Sequence, residues 1–251
     1  MKTIAKLFFA VFFFVFYMVR EAHENNIRRH TVHARGKKDR FSIFFIADVH
    51  NRKISKKMLE EIEPVEAVII GGDFADKRVP IPQIEMNLQR LQSLGPLYFV
   101  WGNNDREVGE GNLLALFRKY GVTVVEDDAV QLPDRPNVTW ISAINDTSRR
   151  RYSFKDALAK CREGDVTLFI SHNPQVFDQA YPIHKPALMM GGHLHGGQIR
   201  LGGLGVHPHG SFSIRKGVPT LISNGYGTTL LPMRLMAKPE CHVIDIICGE
   251  E

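Results

Sequence analysis

Five short motifs gather the side chains that could do chemistry: Asp48-Val49-His50, Gly72-Asp73 with Asp76, Gly102-Asn103-Asn104-Asp105, Ser171-His172, and Gly192-His193-Leu194-His195. Each is weak alone, since a GGD is a common turn and an HxH pair is ordinary at a surface. Together they offer carboxylate, imidazole and amide-oxygen donors with almost no thiol, a set that suits a pair of hard or borderline divalent cations. Glycines beside them (Gly72, Gly102, Gly192, Gly196, Gly197) let backbone approach closely and turn sharply. The three cysteines, Cys161, Cys241 and Cys248, form no CxxC, so they make neither a disulfide framework nor a thiolate zinc site.

The elements that must position these residues are legible as alternating apolar runs and helix-period stretches from Phe41 onward, the pattern of an α/β domain. Strands are predicted at Ser42 to Ala47, Ala67 to Ile70, Leu97 to Trp101, Val138 to Ala143, Val166 to Ile170, Ala187 to Met190, Thr220 to Ile222 and His242 to Ile247. Helices are predicted at Ser55 to Ile62, Pro82 to Leu94, Asn112 to Tyr120 and Phe154 to Cys161. Each of the five motifs follows directly on a predicted strand. In open α/β sheets the carboxyl ends of strands form the ligand crevice, so these motifs are expected on one rim.

The ordered set DxH, GDxxD, GN followed by Asn-Asp, a lone His, then GHxH resembles the calcineurin-like metallophosphoesterases, and the tail from Ile222 through Arg234 to Glu240 resembles their bacterial, often membrane-associated branch. The resemblance implies a four-layer α/β sandwich of two packed mixed sheets. It implies that Asp48, His50 and His195 hold one divalent metal, that Asn103, His172 and His193 hold another, and that Asp73 bridges both. Manganese, iron and zinc all suit such donors. A metal pair of this kind lowers the pKa of a bridging water, so the implied chemistry is phosphoester hydrolysis by a bridging hydroxide. Asp76 is a candidate to orient a ligand. The sequence departs from the family at Asn104, where a histidine that protonates the leaving group usually stands. An amide has no proton to give at neutral pH, and Asp105 is expected to orient it as a catalytic pair. His207 and His209 are candidate replacement acids, and Arg106, Arg200 and Arg234 are candidate phosphate contacts.

Charge places the rest. The chain carries 32 Lys and Arg against 27 Asp and Glu, and of these nine basic and three acidic residues lie within residues 1–40. Residues 41–251 are therefore close to neutral, which argues against nucleic acid as a partner. Leu7 to Val19 are 13 uninterrupted apolar residues, six of them Phe. Such a run reaches only about 20 Å as a helix, lengthened if Lys6 snorkels. With no AxA-like site behind it, this segment is expected as an uncleaved single-pass anchor over residues 1–20. Residues 21–40 are expected as a basic polar tether and residues 41–251 as the catalytic domain. Positive-inside counting leans towards the cytoplasmic face. The expected function is a dinuclear-metal-dependent phosphoesterase near a membrane, acting on a lipid-linked or nucleotide-linked phosphodiester, pyrophosphate or phosphomonoester. The alternative is a membrane-tethered metal-binding protein with little catalysis because of Asn104.

Overall fold

The computed structural model describes residues 2–249. Strands β1 (Ile27–Arg35), β2 (Asp39–Ile46), β3 (Ala67–Ile70), β4 (Leu97–Phe99), β5 (Thr123–Val124) and β12 (Cys241–Gly249) form one six-stranded sheet in the order β1-β12-β2-β3-β4-β5. Strands β6 (Asp128–Gln131), β7 (Thr139–Ala143), β8 (Val166–Ile170), β9 (Leu188–Gly191), β10 (Ser211–Arg215) and β11 (Val218–Ile222) form a second, in the order β10-β11-β9-β8-β7-β6. Both sheets are mixed: β12 with β2, β10 with β11, and β6 with β7 are antiparallel, and the other pairs are parallel.

Side-chain alternation explains why the sheets stack. Successive strand residues point to opposite faces, and in β2 this sends Ile43 and Phe45 between the sheets while Phe44 and Ile46 face outward. Ile141, Leu168, Leu188 and Leu221 come from the second sheet to meet the inward set. On the outer face of the first sheet lie helices α2 (Lys56–Leu59), α3 (Ile81–Gln92) and α4 (Glu110–Lys119). Ile84, Leu88 and Leu91 of α3, spaced to share one face, pack against Phe44, Val68 and Phe99. Over the second sheet, α5 (Phe154–Ala157) and the turn Pro174–Gln179 cover Phe169 and Met189. The result is the expected four-layer arrangement, and all eight predicted strands are present, β3 and β8 with the predicted ends and the other six with shifted ones.

One departure matters. The N-terminal helix, α1 (Lys2–Ala22), is long and apolar enough to cross a membrane, as its sequence predicts. The polar tether expected over residues 21–40 is not a linker, however. Glu21 and Ala22 are buried, and β1 begins five residues after the helix and pairs along its whole length with β12. The reason lies in the face pattern: His30, Val32 and Ala34 point inward, whereas Arg29, Thr31, His33 and Arg35 point to solvent. An edge strand with one wet, cationic face carries too little apolar signal to read as a strand, and those charges also blunt edge pairing with other chains. A domain boundary at Phe41 therefore cuts through the sheet. A chain starting at Phe41 is expected to unfold roughly 10 °C below one starting at Glu24, because several kcal/mol of ladder and Val32 burial are lost; equal thermal midpoints by circular dichroism would contradict this role for β1.

Candidate metal centre

Every predicted ligand sits where a strand ends. Asp48 and His50 follow β2, Asp73 follows β3, Asn103 follows β4, His172 follows β8, and His193 and His195 follow β9. The two sheets therefore deliver seven side chains to one rim. Two groups of donor atoms converge there, each with its atoms within 4.8 Å of one another: Asp48, His50 and His195 in one, Asp73, His172 and His193 in the other. Asp73 reaches both. Its Oδ2 lies 3.3 Å from His172 Nε2 and 3.7 Å from His50 Nε2.

The convergence is held at a cost in backbone strain. Asp48, His50, Asp73, His193 and His195 all have φ between 48° and 68°, a region uncommon for residues with a side chain. Each costs of order 1–3 kcal/mol, and such positions persist only where the surroundings over-determine them. Close packing leaves no room for an alternative: a Cβ at Gly102 would lie 2.2 Å from the Asp73 nitrogen, and one at Gly192 would lie 2.3 Å from Asp48 Oδ2.

The donors fit a cation. His172 donates Nδ1–H to the Gly71 carbonyl at 2.9 Å, which turns Nε2 toward the rim; that nitrogen is buried and finds no hydrogen-bond partner among the described residues. Asn103 Oδ1 is likewise buried and unpartnered, although its amide donates to Asn104 Oδ1 at 2.9 Å. His50 Nε2 and His195 Nε2 face each other at 3.2 Å, and His50 Nδ1 is turned to Asp76 at 3.2 Å. A carboxylate behind an imidazole fixes tautomer and ring orientation in this way.

Electrostatics agree. Burial opposes a charge on His172, but Asp73 and Asp48 outweigh it and push its imidazole up to about 10, so the cavity favours a positive charge at this point. Burial and then His172 push His193 down to about 4, with Asp73 opposing and His207 adding to the fall. Burial, then His50 and Arg234, hold His195 well below the ordinary value, which keeps it neutral. Asp76 is held far below the usual carboxylate range: burial acts against this, and hydrogen bonds from Arg78 and His50 overcome it.

Several expected roles change. Asp105 does not orient the Asn104 side chain. Its carboxylate accepts from the backbone N–H groups of Gly102, Asp73, Phe74 and Ala75 at 2.7 to 3.1 Å, and so ties the end of β4 to the loop after β3. Burial and Asp73 still push it up to about 7, against those amides. Asn104 points its amide at Glu107 Oε1 at 3.2 Å, while its backbone N–H donates to Asp73 Oδ1 at 2.8 Å. Arg200 and Arg234 are taken up by the scaffold, and Arg106 keeps only its buried Nη1 without a partner among the described residues. Arg106 lies over Trp101 and pairs with Glu110 and Glu126. Arg200 holds the carbonyls of Gly196, Gly203 and His207. Arg234 is fully buried, its guanidinium spent on the carbonyls of His195, Asn224, Gly227 and Ala237. His209 turns to Asn224 and the Gly210 carbonyl. Arg234 and Asp105 thus position the loops that carry ligands, through backbone partners that leave no trace in a sequence pattern.

Residues 41–204 match the calcineurin-like phosphoesterase superfamily domain. The chain belongs to that superfamily. It is 36% identical to the Bacillus subtilis (strain 168) protein YpbG over 93% of this chain and 92% of that one. It is 27% identical to the metallophosphoesterase YkoQ of the same organism, over 80% and 82%. In fold, this superfamily member is similar to a Haemophilus influenzae NAD nucleotidase, with a TM-score of 0.51 and 13% identity over 76% of this chain and 46% of that one. It is also similar to a Thermus thermophilus 5'-nucleotidase precursor, with a TM-score of 0.50 and 12% identity over 83% and 55%. The chain spans about half the length of these nucleotidases, and at such identities the likeness concerns the fold alone.

Asp105→Asn keeps the volume but cannot accept four amides. It is expected to lower stability by about 3 kcal/mol and to reduce the metal bound per chain, read by thermal denaturation and elemental analysis of the same sample. Full metal occupancy with an unchanged midpoint would remove Asp105 from its place as the tie between these loops.

Proposed function

We propose that this superfamily member is a dinuclear-metal-dependent hydrolase of phosphoric esters working near a membrane surface, on a diester, pyrophosphate or monoester. The observation that carries the reading is the placement of Asp73 between two convergent donor groups. Asp48, His50 and His195 would hold one cation and Asn103, His172 and His193 the other, with Asp73 shared. When bound, such ions supply Lewis acidity toward a phosphoryl oxygen and lower the pKa of a water.

The chain's own residues set what else the site can do. Asp76 and the Gly71 carbonyl keep His50 and His172 in ligand tautomers. A groove of about 180 Å³, lined by His50, Asp76, Lys77, Arg78, Asn104, Glu107, Thr229 and Leu230, opens beside them; Arg78 is held there by Asp76, which leaves Lys77 as the cation that could meet an anionic ester. Asn104 borders this groove with a side chain that can hydrogen-bond but cannot protonate an alkoxide. The reading therefore favours substrates whose leaving group needs little help, such as a phosphate in a pyrophosphate linkage. The metal-binding alternative also starts from Asn104, and turnover separates the two.

Hydrolysis of bis-p-nitrophenyl phosphate with added Mn²⁺ is expected from the purified full chain, and is expected to vanish in Asp73→Ala and Asp73→Asn. Metal binding without turnover by the unaltered chain would favour the metal-binding alternative. Asn104→His is expected to raise turnover on alkyl phosphodiesters by roughly 100-fold, within the usual range for general acid catalysis, and to change p-nitrophenyl esters far less. Equal gains on both substrates would mean that Asn104 does not limit leaving-group protonation.

A further inference from the structure

The junction between α1 and the domain has no slack. Leu7 through Tyr17 of α1 are exposed, yet Met18 is buried, and its carbonyl accepts the Arg234 backbone N–H at 3.0 Å. One turn later Ala22 lies beside Arg52, Arg78, Leu230 and Pro232, and Lys238 pairs with Glu24 at 3.0 Å. A bilayer that takes up the apolar run of α1 must therefore end within about one helical turn, some 5 Å, of the domain surface.

That surface is apolar where a soluble surface would be polar. Leu201, Leu204 and Val206 on one loop and Leu230, Leu231 and Met236 on another are exposed, the most open at 78 to 83%. The two loops are zipped together. Gln198 donates to the carbonyls of Thr229 and Leu231 and accepts from the Thr229 N–H, and Arg200 and Leu235 continue the pairing. Arg234 joins this pair to Met18, so the apolar loops are continuous with the base of α1. They are continuous with the site as well: Gln198 comes three residues after His195, and Leu230 lines the groove with His50 and Asn104. Exposed cations flank the junction at Arg20 and Lys53, placed for anionic headgroups.

We infer that the loops 199–206 and 229–236 form, with the base of α1, a face that seats on the bilayer and turns the mouth of the metal centre toward the lipid headgroups. An amphiphilic phosphate ester could then reach the groove without leaving its leaflet. The inference rests on the membrane part of the function proposed above and is independent of the hydrolytic part. The apolar loops would add interfacial binding to a helix that already anchors the chain, as buried apolar area does at a headgroup boundary.

The test uses the full chain, with Cys161→Ser, in vesicles of phosphatidylethanolamine and phosphatidylglycerol that carry a spin label high on the acyl chain. A fluorophore is attached in turn at Phe12→Cys, Leu204→Cys, Leu230→Cys and Val138→Cys; Val138 lies at the opposite end of β7 from the rim. The lipid label is expected to quench the first three and spare Val138. Quenching of Phe12 alone would overturn the seating face while leaving α1 in the membrane. A loss of quenching at Phe12 as well would overturn both. Loop fluorophores shielded from lipid label and from aqueous iodide alike would mean that protein covers the loops, and would also overturn the inference. None of these outcomes depends on catalysis. In a chain that hydrolyses bis-p-nitrophenyl phosphate, Leu204→Asp with Val206→Asp is expected to lower turnover of a vesicle-embedded phosphate ester roughly tenfold and to leave the soluble ester unchanged.

Discussion

Three carboxylates, Asp48, Asp73 and Asp105, lie buried at the ends of β2, β3 and β4, and much of the rim follows from what their charges require. A buried charge is costly unless hydrogen bonds or a counter-charge compensate it. The chain answers each in a different way. Asp105 is given four backbone amides, Asp48 takes the His193 N–H on both oxygens, and Asp73 takes one amide and the nearest imidazoles. Only Asp105 is satisfied entirely by backbone. The other two face imidazole nitrogens, and it is there that His172 is driven toward its charged form. A pocket that pulls a proton onto a buried histidine offers the same field to a divalent ion, with candidate donor atoms already converging there. The strained φ angles fit this account, because the energy that holds five rim residues in a rare conformation comes from the two apolar cores beneath them.

Much of this was legible in the sequence because coordination chemistry restricts residue type and because the carboxyl ends of strands restrict place. The apolar runs marked every central strand, and the polar residues directly after them marked the rim. What stayed hidden shares a physical cause. Asp105 and Arg234 act on backbone groups, which every residue type possesses, so neither partner shows in the sequence. Strands β1, β6 and β10 lie at or beside sheet edges, where one face is wet and the apolar signal is halved or absent. The tether expected at residues 21–40 failed for that reason: charge was read as solvation, when in an edge strand it is compatible with full pairing. The Arg200 assignment failed for the opposite reason, since a basic residue near a phosphate motif can equally be consumed by carbonyls of the scaffold.

The parallel pairing of β1 with β12 has one more consequence, which concerns time rather than space. Its two strands are separated by more than 200 residues, and β12 lies between β1 and β2, so neither neighbour can complete its ladder until the last strand has been made. The ends of β2, β3 and β4, with most of the rim, are synthesised much earlier. During translation the nascent chain thus holds a gap one strand wide between β1 and β2 until Cys241–Gly249 has been made. Contacts of such sequence separation are slow to form. The sheet closes only once Cys241–Gly249 has been made, so a ribosome that stalls before residue 241 leaves the edges of β1 and β2 open together.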